Sequence, residues 1–216
     1  MKKYLFSFAL AFVSLTAFAQ SDYEKAMKEN IAKIETSKTP EEFTALSNNF
    51  HRIAGADENN WLPFYYAALV NIQKGRMLMQ QGKTQDLDFI AGMAEKYIGA
   101  ASHVAPTDNA EIHLLSKMAY SLKMMVNPQQ RYMTDGTKAA EELKKAEKLD
   151  PNNPRIALIK AEDTYFTPEQ YGGSKTKGTE QFKDALAKFN SYTPKSALEP
   201  NWGKAEAEYF INGAKK

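Results

Sequence analysis

The chain has 216 residues, 43% of them hydrophobic and 25% charged, with 28 basic against 26 acidic side chains and no cysteine. This is globular composition, so a disordered chain is excluded, and the lack of thiols excludes disulfides and thiolate chemistry. A balance this close to neutral also removes any bulk attraction to nucleic acid or an anionic membrane.

The first element in chain order is a leader. Lys2 and Lys3 precede an almost wholly apolar run from Leu5 to Thr16, and Ala17-Phe18-Ala19 forms a small-x-small cleavage site. Together they predict a signal peptide over 1–19, cut after Ala19. The run is shorter than the ~20 residues of a membrane span. Gln20 rather than Cys follows the cut, so no lipid anchor is expected. The mature chain, 20–216, is expected to be one unanchored domain, periplasmic or secreted. It carries 26 basic and 26 acidic residues once Lys2 and Lys3 are gone.

Helix signals then follow one another without a strand pattern. Tyr23, Met27, Ile31 and Ile34 make an apolar stripe beside a Glu24/Lys28 pair, and Ser21 with Glu24 can form a capping box. Thr39 and Glu42 form a second box with Pro40 at the first helical position. That helix carries Phe43, Leu46, Phe50 and Ile53. A long helix is expected from Asn60 to Gln81, stopped by Gly82, and its partner from Gln85 to Val104. Asp108 with Glu111 caps the next, which ends before Asn127-Pro128. Further helices are expected over Asp135–Leu149, Pro154–Phe166, Thr179–Asn190 and Trp202–Asn212, about nine in all. Short links between them predict antiparallel hairpins.

One spacing recurs along these helices. Ala94, Ile98, Ala101 and Pro106 are matched by Ala139, Leu143, Ala146 and Pro151, and by Phe182, Leu186, Phe189 and Pro194; Leu46, Phe50 and Ile53 begin a weaker copy. Steps of four and three stack side chains on one helical face, and a proline beyond them stops the helix. Ala139-x3-Leu143-x2-Ala146-x4-Pro151 resembles the second helix of a tetratricopeptide (TPR) repeat. Phe64/Ala68, Ile112/Ser116 and Ala157/Ala161 are similar to first-helix pairs. The resemblance implies an all-α, right-handed solenoid of helix hairpins, about three and a half repeats long, with 127–138 and 167–179 as insertions. It also implies a concave groove lined by first helices. Placed in the TPR register, its inward positions are Leu62, Tyr65, Leu69 and Ile72, then Ala110, His113, Lys117 and Tyr120, then Arg155, Leu158, Glu162 and Tyr165.

Nothing else in the sequence builds a reaction centre. His51, His103 and His113 have no metal-ligand spacing, since Glu111-x-His113 does not share a helical face. Gly172-Gly173-Ser174-Lys175-Thr176-Lys177-Gly178 lacks the P-loop order of Gly-Lys-Ser/Thr after a strand. Asp86/Asp88, Glu141/Glu142 and Glu206/Glu208 read as solvated helix faces. The methionines, among them Met118 and Met125, read as packing. No nucleophile is paired with a base. The expected function is therefore non-enzymatic, with no catalytic residue, no metal site and no cofactor. It is a binding or scaffolding module that holds a protein segment or ligand through Tyr65, His113, Lys117, Tyr120, Arg155, Glu162 and Tyr165. The alternative is a ligand-carrying accessory subunit of an envelope transport or assembly system, with a closed apolar pocket.

Overall fold

The computed structural model describes residues 22–213. The signal-peptide reading and the box at Ser21 lie outside them. The described residues are all-α. The helices are α1 (22–34), α2 (Pro40–Ala56), α3 (Trp61–Gln80), α4 (Leu87–Val104), α5 (Ala110–Val126), α6 (Pro128–Arg131), α7 (Thr137–Leu149), α8 (Pro154–Phe166), α9 (Lys175–Ser191) and α10 (Lys204–Gly213). None of the described helices is long and apolar enough to cross a membrane.

Local chemistry explains most boundaries. The Thr39 hydroxyl accepts from the Glu42 backbone N–H, and Glu42 accepts in return from the Thr39 N–H, so α2 opens on a complete capping box. Gly82, at φ 74°, ends α3: its N–H donates to Met79 and the Lys83 N–H to Leu78, two otherwise orphaned carbonyls. Asn153 caps α8, with Pro154 in the first turn.

Two expected boundaries are corrected. The first is 127–138, expected as an inserted loop. It is helical instead: Asn127 caps α6, and a π-helical turn over Tyr132–Gly136 carries the chain into α7. Thr134 and Thr137 hydroxyls donate to the carbonyls of Arg131 and Met133 along this stretch. The second is α9, which begins at Lys175 rather than Thr179, because the Ser174 hydroxyl accepts from the Lys177 N–H. The two glycines before it have different reasons: Gly172 sits at φ 90°, and a Cβ on Gly173 would meet the Thr167 carbonyl oxygen at 1.7 Å. One cap also moves. Asn109, not Asp108, accepts from the Glu111 N–H at the start of α5.

Consecutive helices pack as hairpins, and α3 also lies against α5. One apolar core runs from Met27 to Ala207. Ala101, Ala146 and Phe189, from the recurring spacing, are buried in it, while Leu143 and Leu186 are half-buried at its margin. Alongside that core, polar side chains of α3 and α5 bond those of α8 and α10 on the inner side of the array.

Candidate functional site

The inner face is closed by the protein itself. Tyr65 donates its hydroxyl to Glu111 at 2.7 Å and accepts from the Trp202 indole N–H at 2.8 Å. Glu111 accepts further from Asn153 at 2.6 Å and from Arg155 Nε at 2.7 Å. The Tyr66 hydroxyl donates to the Leu198 carbonyl, which holds the segment before α10 against α3. The Arg155 guanidinium also lies over the Tyr192 ring, 4.7 Å from its centroid. Burial first, then the Glu111 carboxylate, pushes the Tyr65 phenol well above its ordinary range.

A second knot lies farther along the same face. Arg76 of α3 bonds Glu162 of α8 at 3.0 Å and Glu206 of α10 at 2.7 Å, and Lys117 of α5 bonds Asp163 at 2.5 Å. Glu162 is pushed up to about 8, mainly by burial and further by Glu206, against the opposing pull of Arg76 and Lys117. These contacts correct the expected open groove at four positions. Tyr65, Lys117, Arg155 and Glu162 lie on α3, α5 and α8, and they bond each other's elements and the C-terminal segment rather than facing solvent. No sequence motif announced Arg76. The available signal was a charged residue placed among the apolar positions of a long helix.

His113 and Tyr120 sit elsewhere, on the flank of α5 turned toward α4 and α7. There α5 lies between α4 and α7, and the three helices border a groove of about 580 Å³. Glu95, Ile98, Gly99 and Ser102 line it from α4, Ile112, His113, Ser116 and Tyr120 from α5, and Glu142 from α7, with the Ala105–Asn109 link at one end. Its volume falls in the range of small-molecule sites, roughly 300–1,000 Å³. His113 is fully committed: Nδ1 lies 2.5 Å from Glu142 and Nε2 lies 2.7 Å from Asp108. Tyr120 is different. Lys123 and Lys138 place their ammonium groups 5.7 and 5.5 Å from its ring centroid, and its hydroxyl makes no hydrogen bond among the described residues. Lys123 is shared with Glu95 of α4 at 3.2 Å.

Tyr165 belongs to a third place, an aromatic cluster of α8, α9 and α10. Its ring packs 5.7 Å from Phe182 and 5.5 Å from Phe210, and Phe210 stacks on Phe182 at 4.7 Å. Phe166 and Tyr209 meet Phe210 edge-on at 5.4 Å each and are 60% and 71% exposed. Sequence reasoning passed over both, because each reads as one more aromatic on a helix. Among the described residues no cluster of three or more acidic or histidine side chains is arranged to hold a metal ion.

This arrangement has a solved counterpart. The fold is similar to that of the HusA haemophore from Porphyromonas gingivalis. The superposition gives a TM-score of 0.76 with 28% identity, and it covers 89% of this chain and 92% of that one. No protein-family model matches the sequence, and comparison with curated proteins gives no match. The similarity takes in nearly the whole length of both chains, so it concerns the array of helices and not one hairpin.

Proposed function

We propose that this protein is an exported, non-enzymatic carrier whose cargo is a haem-type tetrapyrrole, held in the groove between α4, α5 and α7. The observation that carries this reading is the near full-length likeness to a haemophore at 28% identity. Several features support it. The groove has the volume of a ligand site, apolar side chains at Ile98 and Ile112, and close access at Gly99, where no side chain intrudes. Lys138, 5.5 Å from the ring centroid of the groove-lining Tyr120, offers a nearby cation for acidic side groups. The leader over 1–19 supports export, and the succession of hairpins supports the TPR-like architecture.

A carrier is preferred to a scaffold for protein segments because the inner face, where a peptide would lie in a TPR array, is occupied by Trp202, Arg155 and Arg76. This is the ligand-carrying reading of the alternative, with the cargo placed in a groove rather than in a closed apolar pocket. A second placement has one specific observation in its favour. Phe166 and Tyr209 expose large aromatic faces beside Phe210, and exposed apolar patches mark binding surfaces.

The test is an equilibrium titration of the mature chain with ferric protoporphyrin IX, followed by absorbance and by quenching of Trp61 and Trp202. A saturable transition at one ligand per chain is expected. An unchanged ligand spectrum at micromolar protein would refute the carrier reading.

A further inference from the structure

We infer that His113 is a proton-operated clamp on this groove: doubly protonated, it fixes the Ala105–Asn109 link against α5 and α7, and with one proton it lets the link go. Two ring contacts carry the inference. Nδ1 lies 2.5 Å from a Glu142 oxygen on α7, and Nε2 lies 2.7 Å from an Asp108 oxygen in the link. Both are hydrogen-bond distances, and an ionised carboxylate only accepts. A neutral imidazole has one N–H, so it can serve one carboxylate and must turn a lone pair on the other. Only the imidazolium holds both. The clamp belongs to the groove itself, so it stands whether or not the cargo is a tetrapyrrole.

The two carboxylates differ in what else holds them. The Glu142 side chain is 15% exposed and also accepts from Lys145 at 2.7 Å, whereas the Asp108 side chain is 70% exposed and has no second partner among the described residues. Burial works against charge on Glu142, but Lys145 and His113 outweigh it and hold its carboxyl below the ordinary range. When His113 loses a proton, the remaining N–H therefore stays on Nδ1 with Glu142. The Nε2 lone pair then faces the Asp108 carboxylate at 2.7 Å, a repulsive contact, and the hydrated Asp108 moves away into water. Thr107, Asp108 and Asn109 line one end of the groove, so release of the link opens that end.

Histidine changes charge between roughly pH 5 and 8, where carboxylates and lysines in ordinary surroundings do not. The charged groups around the ring are Asp108 from the link and Glu142 and Lys145 from α7. Glu95 of α4 lines the same groove and is bonded by Lys123 of α5, and Lys138 of α7 stands over Tyr120. Glu111, two positions before His113 on α5, turns the other way to Arg155. Glu162 also titrates in this window, but it lies in the knot with Arg76 and Glu206.

The chain has no cysteine, so Thr107→Cys with Lys144→Cys places one spin label on the link and one on the exposed side of α7. Label separations are measured in the mature chain by double electron–electron resonance at about pH 5 and about pH 8. The otherwise wild-type chain is compared with Asp108→Asn and His113→Leu, and circular dichroism monitors the fold. The wild-type chain should give one narrow distribution at the lower pH and lose it at the higher, where separations lengthen and spread. Asp108→Asn should keep the narrow distribution at both, because its amide donates to the Nε2 lone pair when the ring is neutral and its carbonyl accepts when the ring is charged. That variant leaves Glu162 untouched. His113→Leu should be broad at both. A wild-type distribution that does not change with pH, the wild-type response retained in Asp108→Asn, or a narrow distribution in His113→Leu would each overturn the clamp. No tetrapyrrole is added, so the outcome is separate from that of the carrier reading.

Discussion

Arg155 of α8 donates through Nε to Glu111 of α5 at 2.7 Å, and the arginine is 1% exposed. This contact ties the C-terminal helices to the rest of the array at a depth where neither charge is solvated. Truncating one partner leaves the other buried and uncompensated, a loss of about 3–5 kcal/mol. Arg155→Met should therefore lower unfolding stability by that amount in urea denaturation. The double variant Arg155→Met/Glu111→Gln should recover part of the loss. A single variant within about 0.5 kcal/mol of wild type, the range of surface sites, would show that this pair does not hold the C-terminal unit.

The Arg76–Glu162–Glu206 knot predicts a pH dependence with a definite sign. Glu162 is raised from 4.5 to about 8 in the folded protein, first by burial. Between those values the folded state keeps a proton that the unfolded chain releases. Stability contributed by the protonated carboxyl is therefore present below 4.5 and declines as pH rises toward 8. Thermal unfolding followed from pH 5 to about 9 should show this decline, and Glu162→Gln should flatten it. An identical slope in wild type and variant would remove Glu162 as its cause.

Two glycines on helices should respond in opposite ways to alanine. A Cβ on Gly178 would meet the Tyr165 backbone at 2.8 to 2.9 Å, whereas one on Gly92 meets nothing within 4 Å. Gly92→Ala should add roughly 0.4–1 kcal/mol, the usual helix gain at an unobstructed site. Gly178→Ala should lose stability despite the same gain, because α8 and α9 are in backbone contact there. Denaturant midpoints for the pair check both signs.

The elements were legible where local chemistry decides them. Thr39 and Glu42 identify the start of α2, Asn153-Pro154 the start of α8, and the recurring four-and-three spacing places Ala101, Ala146 and Phe189 in the core. The inner network was not legible, because no local signal says that Arg155 and Glu111, distant in sequence, will meet. The register on α5 shows the difficulty most clearly. His113, Lys117 and Tyr120 form one stripe by spacing, yet positions four apart differ by ~40° around a helix. That offset is enough to send Lys117 to Asp163 on α8 and leave His113 and Tyr120 bordering the groove toward α4 and α7.

The place of the cargo can be decided by two variants, one in the groove and one on the exposed aromatic faces. If the tetrapyrrole lies between α4, α5 and α7, filling the groove from its α4 side should block it. Gly99 lines that groove and a Cβ there would meet nothing within 4 Å, so Gly99→Trp projects a large ring into the ligand's volume from an unobstructed start. The variant should fold as the wild type does and lose ferric protoporphyrin IX affinity by about tenfold or more, as expected when a bulky side chain occupies a ligand site. Phe166→Ser with Tyr209→Ser strips the aromatic faces beside Phe210 and should leave affinity within about twofold, because neither side chain lines the groove. The reverse pattern, with normal binding in Gly99→Trp and loss in the double serine variant, would move the site to the surface of α8 and α10, where stacking on Phe166 and Tyr209 replaces enclosure as the source of affinity.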